Sequence, residues 1–482
     1  MQKEIFTGRS QELAQLSTYL KKKTSSLIVI KGRRRIGKSR LVDEFAQRYK
    51  FYKFSGLPPV EAIKAQDQRN EFAQQLSQQT GLPEIQTDDW SKLFSLLARE
   101  TAVGRVIVFL DEITWMADGD PTFIGKLKNA WDDQFKKNNK LILILCSSVS
   151  TWIEENIINS TGFFGRISWV LSLDPLPLSD CNTMLEQQGF KSSNYEKFKI
   201  LSITGGIPWY LEQIQGEYSA DENIKRQCFT KGGVLVEDFS KIFHDLFAKR
   251  DTIYKKVICG LATGPMTYEQ IASNSQYSKS GRLSEYLDHL IQAGFVSRDY
   301  TWSLKTGKLM QLSQYRISDN YIRFYLKYIE PKKKQIEEKR IEKLNLTTLP
   351  GWETMMGLQF ENLVVNNRHL LYQILNLEPE SIVFDNPFFQ HPTTRQKGCQ
   401  IDFLIQTRFN TIYVVEIKFS KNPVKRKVID EVKEKIKRIS LPRGIAVLPI
   451  LVHVNGVIDS IEEDAYFYRI IDFGELLGLG NK

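Results

Sequence analysis

Cysteine is scarce in this chain of 482 residues. The five present (Cys146, Cys181, Cys228, Cys259, Cys399) are scattered, and no two stand at C-x-x-C spacing. That argues against a disulfide framework or a zinc site and fits a reducing cytoplasm. Long apolar runs are also missing. LILILC at 141–146 is among the longest, far short of the roughly 20 residues that span a bilayer. The N-terminal MQKEIFTGRSQEL has no apolar segment of the secretory type. A cytoplasmic protein with no membrane partner is expected. Charge of one sign is only mildly in excess: 66 Lys and Arg against 56 Asp and Glu, a net +10. This balance is compatible with nucleic acid but is common among ordinary enzymes. The hydrophobic share of 42% and charged share of 25% are those of folded protein. At roughly 100–200 residues per domain, the length suggests three or four domains.

The first chemistry-bearing stretch is SSLIVIKGRRRIGKSRLVDEFAQRY. A short apolar strand (27–30) leads into G-x-x-x-x-G-K-S, Gly32 to Ser39, and then a helical pattern with Leu41, Val42 and Phe45 on one face. That is a P-loop in strand–loop–helix context. Backbone N–H groups and the helix N-terminus surround a phosphate. Lys38 is placed to reach the β- and γ-phosphates, and the Ser39 hydroxyl to ligate Mg²⁺. The candidate nucleotide-binding set is Gly32, Arg33, Arg34, Arg35, Ile36, Gly37, Lys38, Ser39 and Arg40. The three arginines are expected to project outward, because the loop backbone does the cradling. A plain Gly-rich turn before a helix is the bland reading.

The partner signature follows. RVIVFLDEITWM contains a buried-type strand (106–110) that ends in Asp111 and Glu112. Continuous apolar runs of this kind belong to parallel strands covered on both faces. Asp111 is expected to hold Mg²⁺ through water, and Glu112 to polarise the attacking water. Taken alone, Asp-Glu also suits a helix cap. LILILC then leads into SSVS, where Ser147 or Ser148 is placed to sense the γ-phosphate. Arg166 in FFGR is a candidate trigger residue, and an ordinary surface ion pair is the competing reading. Strands alternating with helices predict an α/β doubly wound sheet.

FTGRSQEL (6–13), GRRRIGKS, FLDE, ILCSSVS, FFGR and TGGIPWYL (204–211) occur in this order. In that respect residues 1–215 resemble the archaeal-type ATPase family, within the AAA+-like signal-transduction NTPases (STAND). The resemblance implies ATP or ADP as cofactor. It puts Phe6, Gly8, Arg9 and Glu12 near the adenine, and it puts Gly205, Gly206 and Pro208 on a helical lid. The family usually has Gly where this chain has Ser147, which counts against the sensor reading of Ser147 or Ser148. Read from residues alone, GGIP is a turn between helices.

Residues 251–330 change character. Two helices separated by a Gly-Pro turn, with a cap near Thr267, precede a third that carries Leu283, Tyr286, Leu287, Leu290 and Ile291 at helical spacing. Two strand-like pieces follow. Three helices and a hairpin form a winged helix-turn-helix pattern. Lys279 and Arg282 are expected to face outward near the third helix, where DNA phosphates or bases could be met. Packing against another protein surface is the competing use. Asp319 is expected to be a structural cap, and PKKKQIEEKRIEK (331–343) a charged helix or linker.

From about 344 the order is helix, three strands, helix, strand, with Asp402 in one strand and Glu416-Ile417-Lys418 on the next, 13 residues between Asp402 and Glu416. This order resembles the PD-(D/E)XK restriction-endonuclease-like fold. An unpaired charge in the apolar strand of Asp402 would be costly, and Glu416 and Lys418 share a strand face. Asp402 and Glu416, with Glu361 from the preceding helix, are the expected ligands of Mg²⁺ or Mn²⁺. Lys418 is expected to orient the attacking water. Lys421, Lys425, Arg426, Lys427, Lys433, Lys435, Lys437 and Arg438 offer a basic face to a phosphate backbone, or simply a solvated one. A Gln that often accompanies the motif on this helix is absent, and a fold that serves binding alone is the competing reading.

The expected organisation is an α/β multidomain chain: a P-loop NTPase core (1–172), a helical lid (173–248), a winged helix (249–330), a linker (331–345) and an α/β restriction-endonuclease-like domain (346–482). An ATPase that gates a DNA-binding, metal-dependent nuclease is the leading expectation. A STAND-type regulator with an inactive nuclease fold is the other. Nucleotide, DNA and a second copy or a regulatory protein are the expected partners.

Overall fold

The computed structural model describes residues 6–58, 62–247, 251–275, 281–392, 394 and 397–479. The chain divides into two compact units, Met1–Pro175 and Leu176–Lys482. Residues 176–248, the three-helix segment and the C-terminal segment thus share the second unit.

The first unit is built on five strands: β1 Ser26–Lys31, β2 Lys50–Ser55, β3 Val106–Asp111, β4 Leu141–Ser147 and β5 Ile167–Ser172. Their order is β2-β3-β4-β1-β5, and every pairing is parallel. β3 and β4 are buried at every position, as strands covered by helices on both faces must be. On one face Phe54, Phe72, Trp90, Phe94 and Phe123 form an aromatic cluster with centroid separations of 4.3 to 5.9 Å. The helix Trp90–Glu100 enters this core from a cap in which Asp89 accepts a hydrogen bond from Ser91 N–H. The carboxyl ends of β1, β3 and β4 therefore lie side by side on a rigid platform, where α/β sheets carry their ligands.

The second unit opens with helices, among them Asn194–Thr204 and Val234–Phe247. Three more follow, Asp251–Gly260, Tyr268–Ser275 and Gly281–Gln292. An antiparallel hairpin, β6 Val296–Ser303 and β7 Lys308–Ile317, completes that segment. Asp319 caps the next helix by accepting from Ile322 N–H. Arg282 is exposed at the start of the third helix, whereas Lys279 lies outside the described residues.

The C-terminal sheet comprises β8 Ile382–Gln390, β9 Cys399–Thr407, β10 Thr411–Lys418, β11 Ala446–His453 and β12 Arg469–Asp472, in the order β12-β11-β10-β9-β8. β8, β9 and β10 pair antiparallel, and β10, β11 and β12 parallel. A parallel neighbour requires a crossover, and the β10–β11 crossover carries the helix Lys427–Arg438. The tight Arg408–Asn410 turn sets β9 against β10, with Asn410 at φ 52°.

The pattern over 352–375 reads as one amphipathic helix, but the structure has two, Trp352–Asn366 and Arg368–Ile374. Asn367 interrupts the run. Its side-chain N–H donates to Leu363 O at 2.8 Å and its Oδ1 accepts from Leu178 N–H at 3.1 Å. Nor is the first helix amphipathic: Met355, Met356, Gln359, Phe360, Asn362 and Leu363 are all buried.

Hairpin and sheet are joined by Trp302. Its ring stacks on Phe384 and meets Phe388 edge-on, and Nε1–H donates to Gln406 Oε1 at 2.6 Å. Trp302→Ala is expected to destabilise this unit by about 3–5 kcal/mol through the cavity it leaves. Trp302→Phe, which mainly orphans Gln406, should cost about 1–3 kcal/mol. Denaturant unfolding checks both, and equal losses would count against the stacking argument.

Candidate functional site

In the first unit the loop 32–39 joins β1 to the helix Lys38–Ala46, whose Leu41, Val42 and Phe45 are buried. Gly32 has no room for a side chain: a Cβ there would stand 2.6 Å from Leu173 O. Gly37 holds φ 90°, a conformation open mainly to glycine. Lys38 folds over the loop, its ammonium donating to Gly32 O at 2.8 Å and Arg33 O at 3.1 Å. The Ser39 hydroxyl donates to Asp111 Oδ2 at 2.7 Å. Residues 72 positions apart thus meet at the carboxyl end of the sheet. A hydroxyl beside a carboxylate, both hard oxygen donors, fits a magnesium ion bound with nucleotide phosphates.

Arg9 braces this loop from the N-terminal side. Its guanidinium donates to Ile36 O at 3.2 Å and Asp174 O at 2.6 Å, and pairs with Glu12 at 3.1 Å. Gly8 and Arg9 both hold positive φ, 74° and 62°, and Phe6 lies half-buried just before them. The outward orientation expected of the loop arginines fails at Arg33, which is only 6% exposed. Its carbonyl accepts from the Lys38 ammonium at 3.1 Å. Arg34 and Arg35 are half-buried, with the Arg34 guanidinium 5.9 Å from the Trp115 ring centre, and Arg40 is half-buried on the helix.

Glu112 holds φ 49°, a left-handed conformation that costs a side-chain-bearing residue about 1–3 kcal/mol and that concentrates at functional sites. Its Oε2 accepts from both the N–H and the hydroxyl of Ser148, at 3.1 and 2.9 Å. Ser148 therefore orients Glu112 in this structure. Ser147 meets Thr114 Oγ1 at 2.5 Å. Arg166 makes a two-pronged ion pair with Asp132 at 2.9 Å, and its guanidinium is committed there. Pro208 opens the short helix Pro208–Leu211 of the second unit.

In the C-terminal sheet, antiparallel pairing sets Phe403 against Val415, which brings Asp402 beside Glu416. Asp402 Oδ2 accepts from Ile417 N–H at 2.9 Å. Lys418 Nζ lies 3.2 Å from Glu416 Oε1 and 2.9 Å from Glu431 Oε2. Lys435, on the same helix as Glu431, contacts Glu416 Oε2 at 2.5 Å and Asp402 Oδ1 at 3.5 Å. Glu416 is 1% exposed. Glu361, Asp402, Arg316, Arg323 and Asp299 line a cavity of about 30 Å³, room for a water or two. An adjoining open groove of about 440 Å³ is lined by His391, Gln400, Lys435 and Arg438.

As they stand, these carboxylates do not fit a divalent metal. Among the described residues no group of three His, Cys, Asp or Glu could hold a metal ion. An ammonium bridges the two acids, and one oxygen of Asp402 is committed to a backbone N–H. Lys435 and Glu431 are the site residues that sequence reasoning missed. Val428, Glu431, Val432 and Lys435 share one helical face, and charges at positions 431 and 435 on an otherwise apolar face were the available signal.

The parallel sheet, the phosphate-type loop and the Ser39–Asp111 contact define a P-loop ATPase-like domain. Residues 6–214 match the family described as an ATPase domain predominantly from Archaea. An uncharacterized protein of Methanocaldococcus jannaschii is 28% identical over 343 residues, 69% of this chain and 71% of that protein. The Walker-type ATPase of Pyrococcus abyssi is 16% identical, with a TM-score of 0.49 over 67% of this chain and 96% of that one. An ORC2 protein of Aeropyrum pernix, in complexes with ADPNP and ADP, is 14% identical, with a TM-score of 0.41 over 70% of this chain and 97% of that one. No described helix is long and apolar enough to cross a membrane.

Burial pushes the Glu361 carboxyl up to about 8, and the Asp402 carboxylate adds to the rise. Burial, then Glu416, raises Asp402 to about 6 against the pull of Lys435. The folded chain binds the Glu361 proton more tightly than the unfolded chain does. The stability gained is therefore complete below about pH 4.5 and is lost as pH rises through about 8. Glu361→Gln, neutral throughout, should lack this loss. Thermal melts from acid to pH 9 would show wild type falling relative to the variant, and a pH-independent difference would refute the assignment.

Proposed function

We propose that this chain is an ATP-binding and ATP-hydrolysing switch whose nucleotide state governs a DNA-binding C-terminal domain of nuclease-like fold. The observation that carries the first half is the meeting of Ser39 with Asp111 beneath a glycine-bounded loop that already holds Lys38. In this reading the loop N–H groups cradle the phosphates and Lys38 exchanges its carbonyl partners for phosphate oxygens. Ser39 and Asp111 would hold a Mg²⁺ ion, which would neutralise charge on the phosphates. Glu112, released from or held by Ser148, polarises the attacking water. Phe6, Gly8 and Arg9 contribute to the adenine side, and Pro208 belongs to a lid within 173–248. Arg166 acts in trans only if its pair with Asp132 opens.

The three helices and hairpin over 249–330 support a winged-helix reading, with Arg282 as an exposed contact for a phosphate. The mixed sheet over 346–482, and the groove beside Lys435 and Arg438, support a nuclease-like fold that meets a nucleic-acid backbone. A second reading, a STAND-type regulator whose nuclease-like domain only binds, is favoured by one observation: Lys435 stands between Asp402 and Glu416. The free thiols suit a cytoplasmic setting.

The ATPase half is tested by turnover. Lys38→Ala should abolish hydrolysis, and Glu112→Gln should lower kcat by about 10²–10⁴-fold while ATP still binds. Wild-type turnover in Lys38→Ala would sink this half. For the C-terminal half, DNA is incubated with ATP and Mn²⁺. Nicking by wild type that Lys418→Ala loses supports cleavage. DNA binding without nicking supports the second reading, and no binding at low salt removes DNA from both.

A further inference from the structure

Buried acids need a partner, and in this family-like site a divalent metal would ordinarily supply the charge. Here the charge comes from the chain. Lys435 reaches Glu416 Oε2 at 2.5 Å and Asp402 Oδ1 at 3.5 Å, so its ammonium sits on the oxygens that face each other across β9 and β10. The other oxygens are also committed: Glu416 Oε1 to Lys418 at 3.2 Å and Asp402 Oδ2 to Ile417 N–H at 2.9 Å. Glu431, one helical turn before Lys435, holds Lys418 at 2.9 Å and so keeps it from replacing Lys435. The Lys435 side chain is 26% exposed and borders the open groove. An unbranched four-carbon stem at a groove edge can swing outward, whereas Glu416, 1% exposed, cannot follow it.

We propose that Lys435 is the resident cation of the Asp402–Glu416 site and excludes divalent metal until it leaves. The inference rests on the nuclease-like reading of the C-terminal domain and adds its regulation: the carboxylate pair is occupied by an ammonium that a metal must displace. An ammonium on these two oxygens opposes a divalent ion at the same position, because like charges repel strongly in a partly buried setting. Removing the lysine leaves two buried carboxylates with only Lys418 and one backbone N–H to offset them, a deficit that a divalent ion can then satisfy.

The test uses the full chain without nucleotide and Mn²⁺ itself as probe, with binding followed by electron paramagnetic resonance and by calorimetry. Wild type should show no saturable Mn²⁺ site that Asp402→Asn removes. Lys435→Gln should gain such a site and lose it again when Asp402→Asn is added. Thermal melting gives a readout independent of activity. Lys435→Gln should melt below wild type in chelator and recover with Mn²⁺, while wild type is unmoved and Lys435→Arg behaves as wild type. If wild type and Lys435→Gln bind Mn²⁺ equally and Asp402→Asn abolishes both, Lys435 excludes nothing, although the nuclease-like reading stands. If Lys435→Gln folds but gains no Mn²⁺ site, the inference falls and the metal-dependent reading falls with it. If Lys435→Gln stays unfolded even with Mn²⁺ while Lys435→Arg folds, ammonium and metal are not interchangeable, and the inference is overturned.

Discussion

A helix buried on every side must satisfy any amide it carries, because an unpaired buried polar group costs about 1–3 kcal/mol. Gln359, fully buried in the helix Trp352–Asn366, meets that requirement in three directions. Its Nε2 donates to Ser202 O at 2.6 Å and Asn320 O at 2.7 Å, and its Oε1 accepts from Arg323 at 3.2 Å. One side chain thereby links the helix Asn194–Thr204, the stretch after the hairpin and the helix that carries Glu361. Asn362 repeats the arrangement three residues on, with Ile317 O at 2.7 Å and Arg316 at 2.8 Å. Phe198, Phe360, Phe419 and Phe473 pack around the same helix, their ring centres 5.4 to 5.8 Å apart. The position of Glu361 is inherited from this framework.

The first unit relies on a simpler device. Its central strands β3 and β4 are buried at every position, and the sheet brings the carboxyl ends of β1 and β3 close enough for two short polar side chains to meet. The loop geometry is enforced by exclusion: Leu173 crowds Gly32 and Gly37 takes a backbone angle closed to most residues. The two units therefore hold their candidate sites by different physics, one by sheet register and steric fit, the other by buried amides and paired charges.

The local features of the chain were legible in its sequence. The strand before Gly32, the strand ending at Asp111, the run Leu141–Cys146 and the strands bearing Asp402 and Glu416 all announce themselves by apolar runs bounded by turn residues. Tertiary partners were not legible. The inward turn of Arg33, the break at Asn367 and the commitment of Arg166 to Asp132 each depend on a residue distant in sequence or on a loop path. The strand β12 is only Arg469–Asp472, too short for alternation to mark it. Lys435 was hidden for a different reason: among eight basic residues in its neighbourhood, only its helical phase distinguishes it.

That phase has a mechanical meaning. Glu431 and Lys435 lie one turn apart on the helix Lys427–Arg438 and grip opposite charges, Lys418 and Glu416, that lie two residues apart on β10. The two pairs run in opposite senses, so their dipoles are antiparallel, and sliding the helix along the strand to improve one contact worsens the other. The helix is thus keyed to a single register, and neither pair can be lost by a gradual shift.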